Sequence, residues 1–500
     1  MACFLLDWPG VIEPIGGKWT GLDGIGATQL AELCGDVHTG RDPAYRTLTD
    51  AIRVLVSDGR LPAGTRLPAE RALAERLRVS RVTVTRAYRD LREDGWADAR
   101  QGAGTWVRLP GGRVDGVWAP GPRRSGVIDL AHGAPAAPDV LSTLVRRAAD
   151  RLDAELTGHG YGPEGLLALR ERIAARYTAR GVPTEPDAIV VTGGALHAIH
   201  LAVAELALAG DRVLVEHPTY PSAVDVLADA GVQAVPVAVE GADVETVLPR
   251  AARQTAARAA YVMTDFQNPT GVLLDDDARA RLLHRLARQG TVTIVDETFA
   301  ELDLRSSGPA FLPCAAHAPR EADVVTVGGL SKIAWGGLRL GWVRAGSEHA
   351  ARIRRRLARS QIAPPVMEQL IAVEVLDAID GIRAERVAAL RARRDHLVRE
   401  LRRELPDWTF TVPDGGLMLW CDLGAEVSTA LTAHAARHGL VLAPGPRFGA
   451  GHAFTDRLRL PFTHPEPVLT EAVRRLRRVS DEVVGGAVTR ATPPVGELVV

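Results

Sequence analysis

Six short runs rich in β-branched residues recur between residues 189 and 327: Ile189–Thr192, Arg212–Glu216, Ala234–Val239, Ala259–Thr264, Val292–Asp296 and Val324–Val327. Helical stretches separate several of them. Strands that alternate with helices pair in parallel, and their crossovers cover both faces of the sheet. This pattern predicts a large α/β domain built on a mostly parallel sheet. Residues 349–404 are strongly helical and rich in Arg, and carry the chain into a smaller α+β subdomain. At roughly 150 residues per domain, a chain of 500 residues has room for further units.

The region ahead of the sheet reads differently. Leu48, Ile52, Leu55 and Val56 repeat at helical spacing, which predicts a first helix over Ala44–Ser57. Pro68 opens a second, Ala69–Leu77, and Ser80 caps a third, Arg81–Asp94. The segment Trp96–Val107 reads as two strands around a Gly-containing turn. Three helices and a hairpin make a winged helix-turn-helix. Over residues 41–108 there are 14 Arg against 9 Asp and Glu. A basic third helix after a tight turn has the form of a recognition helix in the major groove. An Arg-rich solvated helix would give the same charge, so the order of elements carries the argument.

Domain boundaries follow. Residues 1–40 form a leader with one possible short helix at 27–37, and 41–108 the winged helix. Residues 109–126, with five Gly and three Pro, have the composition of a linker. The sheet domain spans 127–482, and 483–500 reads as a flexible tail. The most apolar stretch, near Ala198–Ala209, holds His200 and Glu205, which excludes a membrane span there. Residues 1–20 have no basic start, so a secretory signal is not expected. The four cysteines show no CxxC spacing and suit neither a disulfide framework nor a zinc site. A cytoplasmic protein is expected. The net charge of −1 confines any nucleic-acid role to a local patch.

Lys18 and Lys332 are the only lysines among 60 basic residues. Arg remains protonated, whereas a buried Lys can lose its proton and act as a nucleophile. Lys332 lies in GGLSKIAWGGLRLGW, at a strand exit, with Arg339 seven residues on. An amine near a guanidinium suits an aldehyde cofactor that carries a phosphate; the alternative is a surface lysine in a loop. Asp296 ends the strand TVTIVD and could face a protonated heterocyclic nitrogen, or cap a helix. Asn268, in FQNPTG, could hold a phenolic oxygen or only shape its turn. VTGGALHAIH runs from a strand through Gly193 and Gly194 into a helix whose first N–H groups would cradle a phosphate. His197 and His200 read as structural. Tyr220, in HPTY, could stack on a flat ring or simply pack.

Taken together, YGPEGLLALR, HPTY, NPTG, IVDE, SK…GLRLGW and RLRLPF resemble one family. The chain looks like a MocR/GabR-type regulator: a GntR-like winged helix fused to a fold-type I, class I/II aminotransferase-like domain that binds pyridoxal 5′-phosphate. LPAERALAERLRVSRVTVTRAYRDLREDGW carries the GntR-like part. The resemblance implies roles. Lys332 would form the internal aldimine, Asp296 would face the pyridine nitrogen, Asn268 the ring oxygen, and Tyr220 would stack on the ring. Arg339, with backbone groups of Gly194 and Ala195, would hold the phosphate. Tyr161 would reach the cofactor of a partner subunit, which implies a homodimer. Arg459 would grip a ligand carboxylate. Arg71, Ser80, Arg81 and Thr83 match positions that contact bases or phosphates of double-stranded operator DNA, and Gly102 lies at the wing tip.

Two departures matter. Aminotransferases place Ser three residues before the lysine, where this chain has Gly329. They place a Tyr two or three residues after the Asp, where it has Thr298 and Phe299. Phe299 cannot hydrogen-bond the ring oxygen. The resemblance therefore implies a DNA-binding regulator that senses an amine or amino acid, or the cofactor itself, through an external aldimine, with residual or absent transamination. A working aminotransferase with an accessory DNA-binding domain is the second reading. A DNA binder whose sheet domain only dimerises is the third, and the survival of Lys332 argues against it.

Overall fold

The computed structural model describes residues 24–38, 42–57, 60–61, 65–100, 104–108, 126–307, 311–450 and 453–488. Lys18 and Gly102 lie outside the described residues.

The N-terminal unit comprises α1 (Ala27–Cys34), α2 (Ala44–Ser57), α3 (Glu70–Leu77), α4 (Arg81–Glu93) and a hairpin of β1 (Ala97–Arg100) with β2 (Gly104–Val107). Leu48, Ile52 and Leu55 of α2 meet Leu73 and Leu77 of α3 and Val84, Tyr88 and Leu91 of α4 in one core. The i, i+4, i+7 spacing on α2 and α4 is the reason: each places one apolar face inward. Ser80 starts α4 as its sequence suggests, its Oγ accepting from the Thr83 N–H at 3.1 Å. Leu30 and Cys34 of α1 belong to this same core. The helix set apart as part of a leader is thus packed into the winged-helix unit, because its apolar positions need α2 and α3 to cover them.

The large domain begins with β3 (Ile128–Asp129), α5 (Leu141–Asp150), α6 (Leu152–Glu155) and α7 (Leu167–Ala179). There follow β4 (Ile189–Thr192), α8 (Ala195–Leu206), β5 (Arg212–His217), α9 (Pro221–Asp229), β6 (Gln233–Ala238), α10 (Val244–Thr255), β7 (Ala259–Val262), α11 (Asp276–Ala287), β8 (Val292–Asp296), β9 (Val324–Gly329) and β10 (Gly341–Arg344). The seven strands lie in the order β4-β10-β9-β8-β7-β5-β6. Strands β5 to β9 pair in parallel, and β10 runs antiparallel to both neighbours. No apolar run announces β10, whose four residues include Gly341 and Arg344. Its Trp342 side chain lies on Gly328, where a Cβ would stand 2.5 Å from the indole. A glycine on the neighbouring strand is what makes room for it.

Helices α12 (Ser347–Ser360), α13 (Val366–Asp377) and α14 (Ile379–Glu404) lead to the small subdomain. That contains β11 (Thr409–Phe410), β12 (Met418–Asp422), α15 (Ser428–Arg437), β13 (Leu440–Val441), β14 (Ala443–Pro444), β15 (Arg457–Pro461) and α16 (Glu466–Val488). Its sheet has the order β11-β12-β15-β14, and β13 pairs with β3 in parallel. Helix α16 runs to Val488, past the expected start of a flexible tail at 483, and buries Val479 and Val483 one turn apart. The winged helix rests on this subdomain. Arg437 of α15 donates to Asp42 and Asp50, its Nε lying 2.7 Å from Asp50 Oδ2.

Among the described residues, no helix is long and apolar enough to cross a membrane.

Candidate functional site

The carboxyl ends of β7, β8 and β9 bring the chemical residues together, as expected for a parallel sheet. Asp296 is the last residue of β8 and is buried. Its Oδ2 accepts from the Tyr261 hydroxyl at 2.6 Å and its Oδ1 from the Thr298 N–H at 2.9 Å. Burial pushes the Asp296 pKa up, while these donors and the nearby Lys332 amine oppose the shift.

Lys332 stands in the turn after β9, and its Nζ donates to the Gly133 carbonyl at 2.8 Å. Loss of water around the amine, reinforced by Arg459 and opposed by Asp296, pushes its pKa down to about 8. An amine so placed is neutral for about a tenth of the time near pH 7, far more than an ordinary lysine, and the neutral form is the nucleophile.

Arg459 comes from β15, opposite Trp420 of β12. It is buried, and that burial pushes its pKa down to about 10. Its Nη1 donates to Asn268 Oδ1 at 3.2 Å, its Nη2 to the Ala131 carbonyl, and the Phe448 ring lies 4.7 Å from its guanidinium. The buried Nε has no hydrogen-bond partner. Tyr220 caps the start of α9, close enough to Asp296 and Arg459 to interact with both electrostatically.

Beside this group, Gly194 opens α8 at a φ of 102°, a conformation that side chains rarely adopt. Arg339 Nη2 donates to the Gly193 carbonyl at 3.2 Å, and a Cβ on Gly194 would stand 2.9 Å from that nitrogen. No side chain caps α8. A guanidinium and the N–H groups from Ala195 onward therefore meet in an anion cradle.

Of the expected cofactor residues, Tyr161 alone stands apart; it is 66% exposed. Phe299 is buried in the core, and Thr298 serves Asp296 through both its backbone N–H and its hydroxyl. Tyr261 was not expected from the motifs. Its signal in the sequence is a single polar aromatic in the strand AAYV, on the face that Asp296 shares. His197 is structural, its Nδ1 accepting from the Gly193 N–H at 3.2 Å.

Glu216, on β5, is fully enclosed nearby. Its Oε2 accepts from the Met263 N–H at 3.0 Å and from Gln267 Nε2 at 3.4 Å. Burial pushes its pKa from 4.5 up to about 8. The folded state thus holds this proton where the unfolded chain has lost it, so Glu216 contributes stability below about pH 4.5 that is lost progressively as pH rises to about 8. Glu216→Gln should flatten the fall in stability over that interval in denaturant titrations at several pH values. An unchanged slope would count against a protonated Glu216.

In the N-terminal unit, α4 presents Arg81, whose side chain is 73% exposed with its Nε 3.4 Å from Glu70 Oε2. Arg71 is also exposed and pairs with Glu75 at 3.3 Å. Ser80 and Thr83 face each other, with hydroxyls 2.8 Å apart, so both are held by the helix cap. Arg89 lies further along α4, 3.7 Å from Glu93. Arg81→Ala is expected to weaken specific DNA binding by about 1–3 kcal/mol. Arg89→Ala should weaken binding to all sequences and reduce the salt slope. Titration of operator and random duplex at two salt concentrations checks both; equal losses on the two duplexes for Arg81→Ala would make it a backbone contact.

Two family models match the chain: bacterial regulatory proteins of the gntR family over residues 44–107, and aminotransferase class I and II over residues 125–476. The vitamin B6 salvage pathway transcriptional repressor PtsJ of Salmonella typhimurium is 31% identical, over 80% of this chain and 90% of its own. The probable rhizopine catabolism regulatory protein MocR of Rhizobium meliloti is 27% identical, over 75% and 81%. Among solved structures, LysN, an α-aminoadipate aminotransferase from Thermus thermophilus complexed with N-(5′-phosphopyridoxyl)-L-leucine, aligns with a TM-score of 0.65 at 27% identity, covering 72% of this chain and 94% of that one.

Proposed function

Because the chain belongs to the class I and II aminotransferase family and carries a gntR-family domain ahead of it, the MocR/GabR-type arrangement, we propose that it is a transcriptional regulator that binds operator DNA through α4 and the wing. Its other domain holds pyridoxal 5′-phosphate and senses an amine or amino acid. The reading rests above all on Lys332, which stands with a lowered pKa among Asp296, Arg459 and Arg339. The donor set suits the cofactor. The Gly194–Ala195 cradle and Arg339 would take its phosphate, Asp296 its ring nitrogen, Asn268 its ring oxygen and Lys332 its aldehyde, with Tyr220 against the ring. When bound, the cofactor supplies an electrophilic carbon that exchanges one amine for another. Arg459, with its unpartnered Nε, would orient a ligand carboxylate as a fork.

We divide the chain functionally near residue 126, with the preceding linker joining DNA reader to sensor. A regulator of this kind would act on DNA in the cytoplasm. It would work as a homodimer. Leu196, Trp335 and Ile362 expose apolar surface next to the cradle and the lysine turn, and Tyr161 is similarly exposed; a second copy would cover them and bring Tyr161 to its partner's cofactor. Titrating a labelled operator with and without a panel of amines and amino acids tests the reading. A spectral change at the cofactor should accompany a change in DNA affinity. The complete Lys332, Asp296, Asn268 and Arg459 set also favours a second reading, an active aminotransferase. Ligand turnover without any effect on DNA would select it.

A further inference from the structure

Tyr261 sits on β7 opposite Ile294 of β8. Asp296 is therefore its diagonal neighbour on the same face, within reach of a long side chain that leans along the strand. The residue is 1% exposed. If packing were the whole requirement, phenylalanine would fill the space without burying a hydroxyl that needs a partner. The hydroxyl donates to Asp296 Oδ2 at 2.6 Å, within the range of a charge-assisted bond. The Thr298 N–H holds the other oxygen at 2.9 Å. The Thr298 hydroxyl also bonds this carboxylate, and donors on both oxygens fix its plane while leaving further lone pairs available to a ligand.

We propose that Tyr261 is a positioning residue whose hydroxyl holds Asp296 as an oriented anion and thereby sets how strongly the cofactor's ring nitrogen is protonated. The inference rests on the cofactor reading of the site. The other groups near Asp296 are Glu216, Lys332 and Tyr220. Glu216 stays protonated up to about pH 8, so it does not compete as a second anion below that. Removing the Tyr261 donor makes Asp296 more basic. With the cofactor bound, the proton shared with its ring nitrogen would move toward the carboxylate, the ring would withdraw less charge, and the nitrogen joined to Lys332 would become more basic.

The test uses the full chain loaded with ring-¹⁵N pyridoxal 5′-phosphate. In Tyr261→Phe the ring-nitrogen resonance should move from the pyridinium position toward the neutral one. The pH midpoint of the lysine-bound chromophore should rise by about one unit, the scale of one hydrogen bond to a charged group. Site-specific 3-fluorotyrosine at position 261 keeps the packing and strengthens the donor, so it should lower the pH midpoint of the lysine-bound chromophore, even if the Phe variant does not fold. Wild-type values in a cofactor-loaded Tyr261→Phe, or no shift with fluorotyrosine, would reduce Tyr261 to packing. Wild-type protein without any lysine-bound cofactor would overturn the site reading itself, and that result appears before any variant is compared.

Discussion

Lys332→Ala, purified with pyridoxal 5′-phosphate present, should carry no covalently linked cofactor, and Lys332→Arg should fail equally. A guanidinium keeps its proton and cannot form the imine, so restoring the charge does not restore the chemistry. The position is also the one the structure favours for a neutral amine: burial and Arg459 push the Lys332 pKa down to about 8. Borohydride reduction of the wild-type protein should fix the cofactor to the peptide containing Lys332, with loss of visible absorbance. Label elsewhere, or absorbance that survives dialysis in Lys332→Ala, would remove this lysine from the centre of the site. The phosphate cradle at Gly194 and Arg339 is separate from Lys332, so residual non-covalent binding is expected and is distinguished by dialysis.

The second large effect is expected at Arg459. A ligand with both an amine and a carboxylate would use Lys332's place for one and Arg459 for the other. Loss of a buried charged partner typically costs a few kcal/mol, so Arg459→Ala should weaken the response to amino acids by about 100-fold or more. Cofactor should stay bound, because its proposed anchors are Lys332, Asp296 and Arg339. The measurement is a ligand panel read by chromophore, by DNA affinity and by keto-acid product. A response unchanged in Arg459→Ala would mean that the effector is a simple amine or the cofactor itself. Turnover in the wild type should be very slow, because the ring oxygen lacks the tyrosine that Thr298 and Phe299 replace. Sustained turnover on the order of 1 per second or faster would favour the enzyme reading.

Much of the fold was legible in the sequence because its signals are local. The i, i+4 spacing of Leu48, Ile52 and Leu55 marks α2, and Ser80 marks the start of α4. The run TVTIVD ends β8 at the residue that faces the site. Lys332 stood out by composition, since Arg had taken nearly every other basic position. Signals that depend on partners were less legible. β10 is stabilised by its neighbours β4 and β9 rather than by its own apolar pattern. Helix α1 looked like part of a leader because its apolar face is covered only by α2 and α3.

The sequence by itself determined the order of elements, the catalogue of reactive groups and the strand ends on which they sit, since periodicity, capping and side-chain chemistry are properties of short stretches. Tertiary structure alone decided which of those groups meet. Arg459 touches Asn268, 191 positions away, because β15 packs against the mouth of the large sheet. Tyr261 reaches Asp296 because the register of β7 on β8 places them diagonally. The winged helix meets the aminotransferase-like domain through Arg437, Asp42 and Asp50, far apart in the chain. Proximity across such distances is set by strand register and helix packing, and so are the burial that lowers the Lys332 pKa and the hydrogen bonds that hold Asp296.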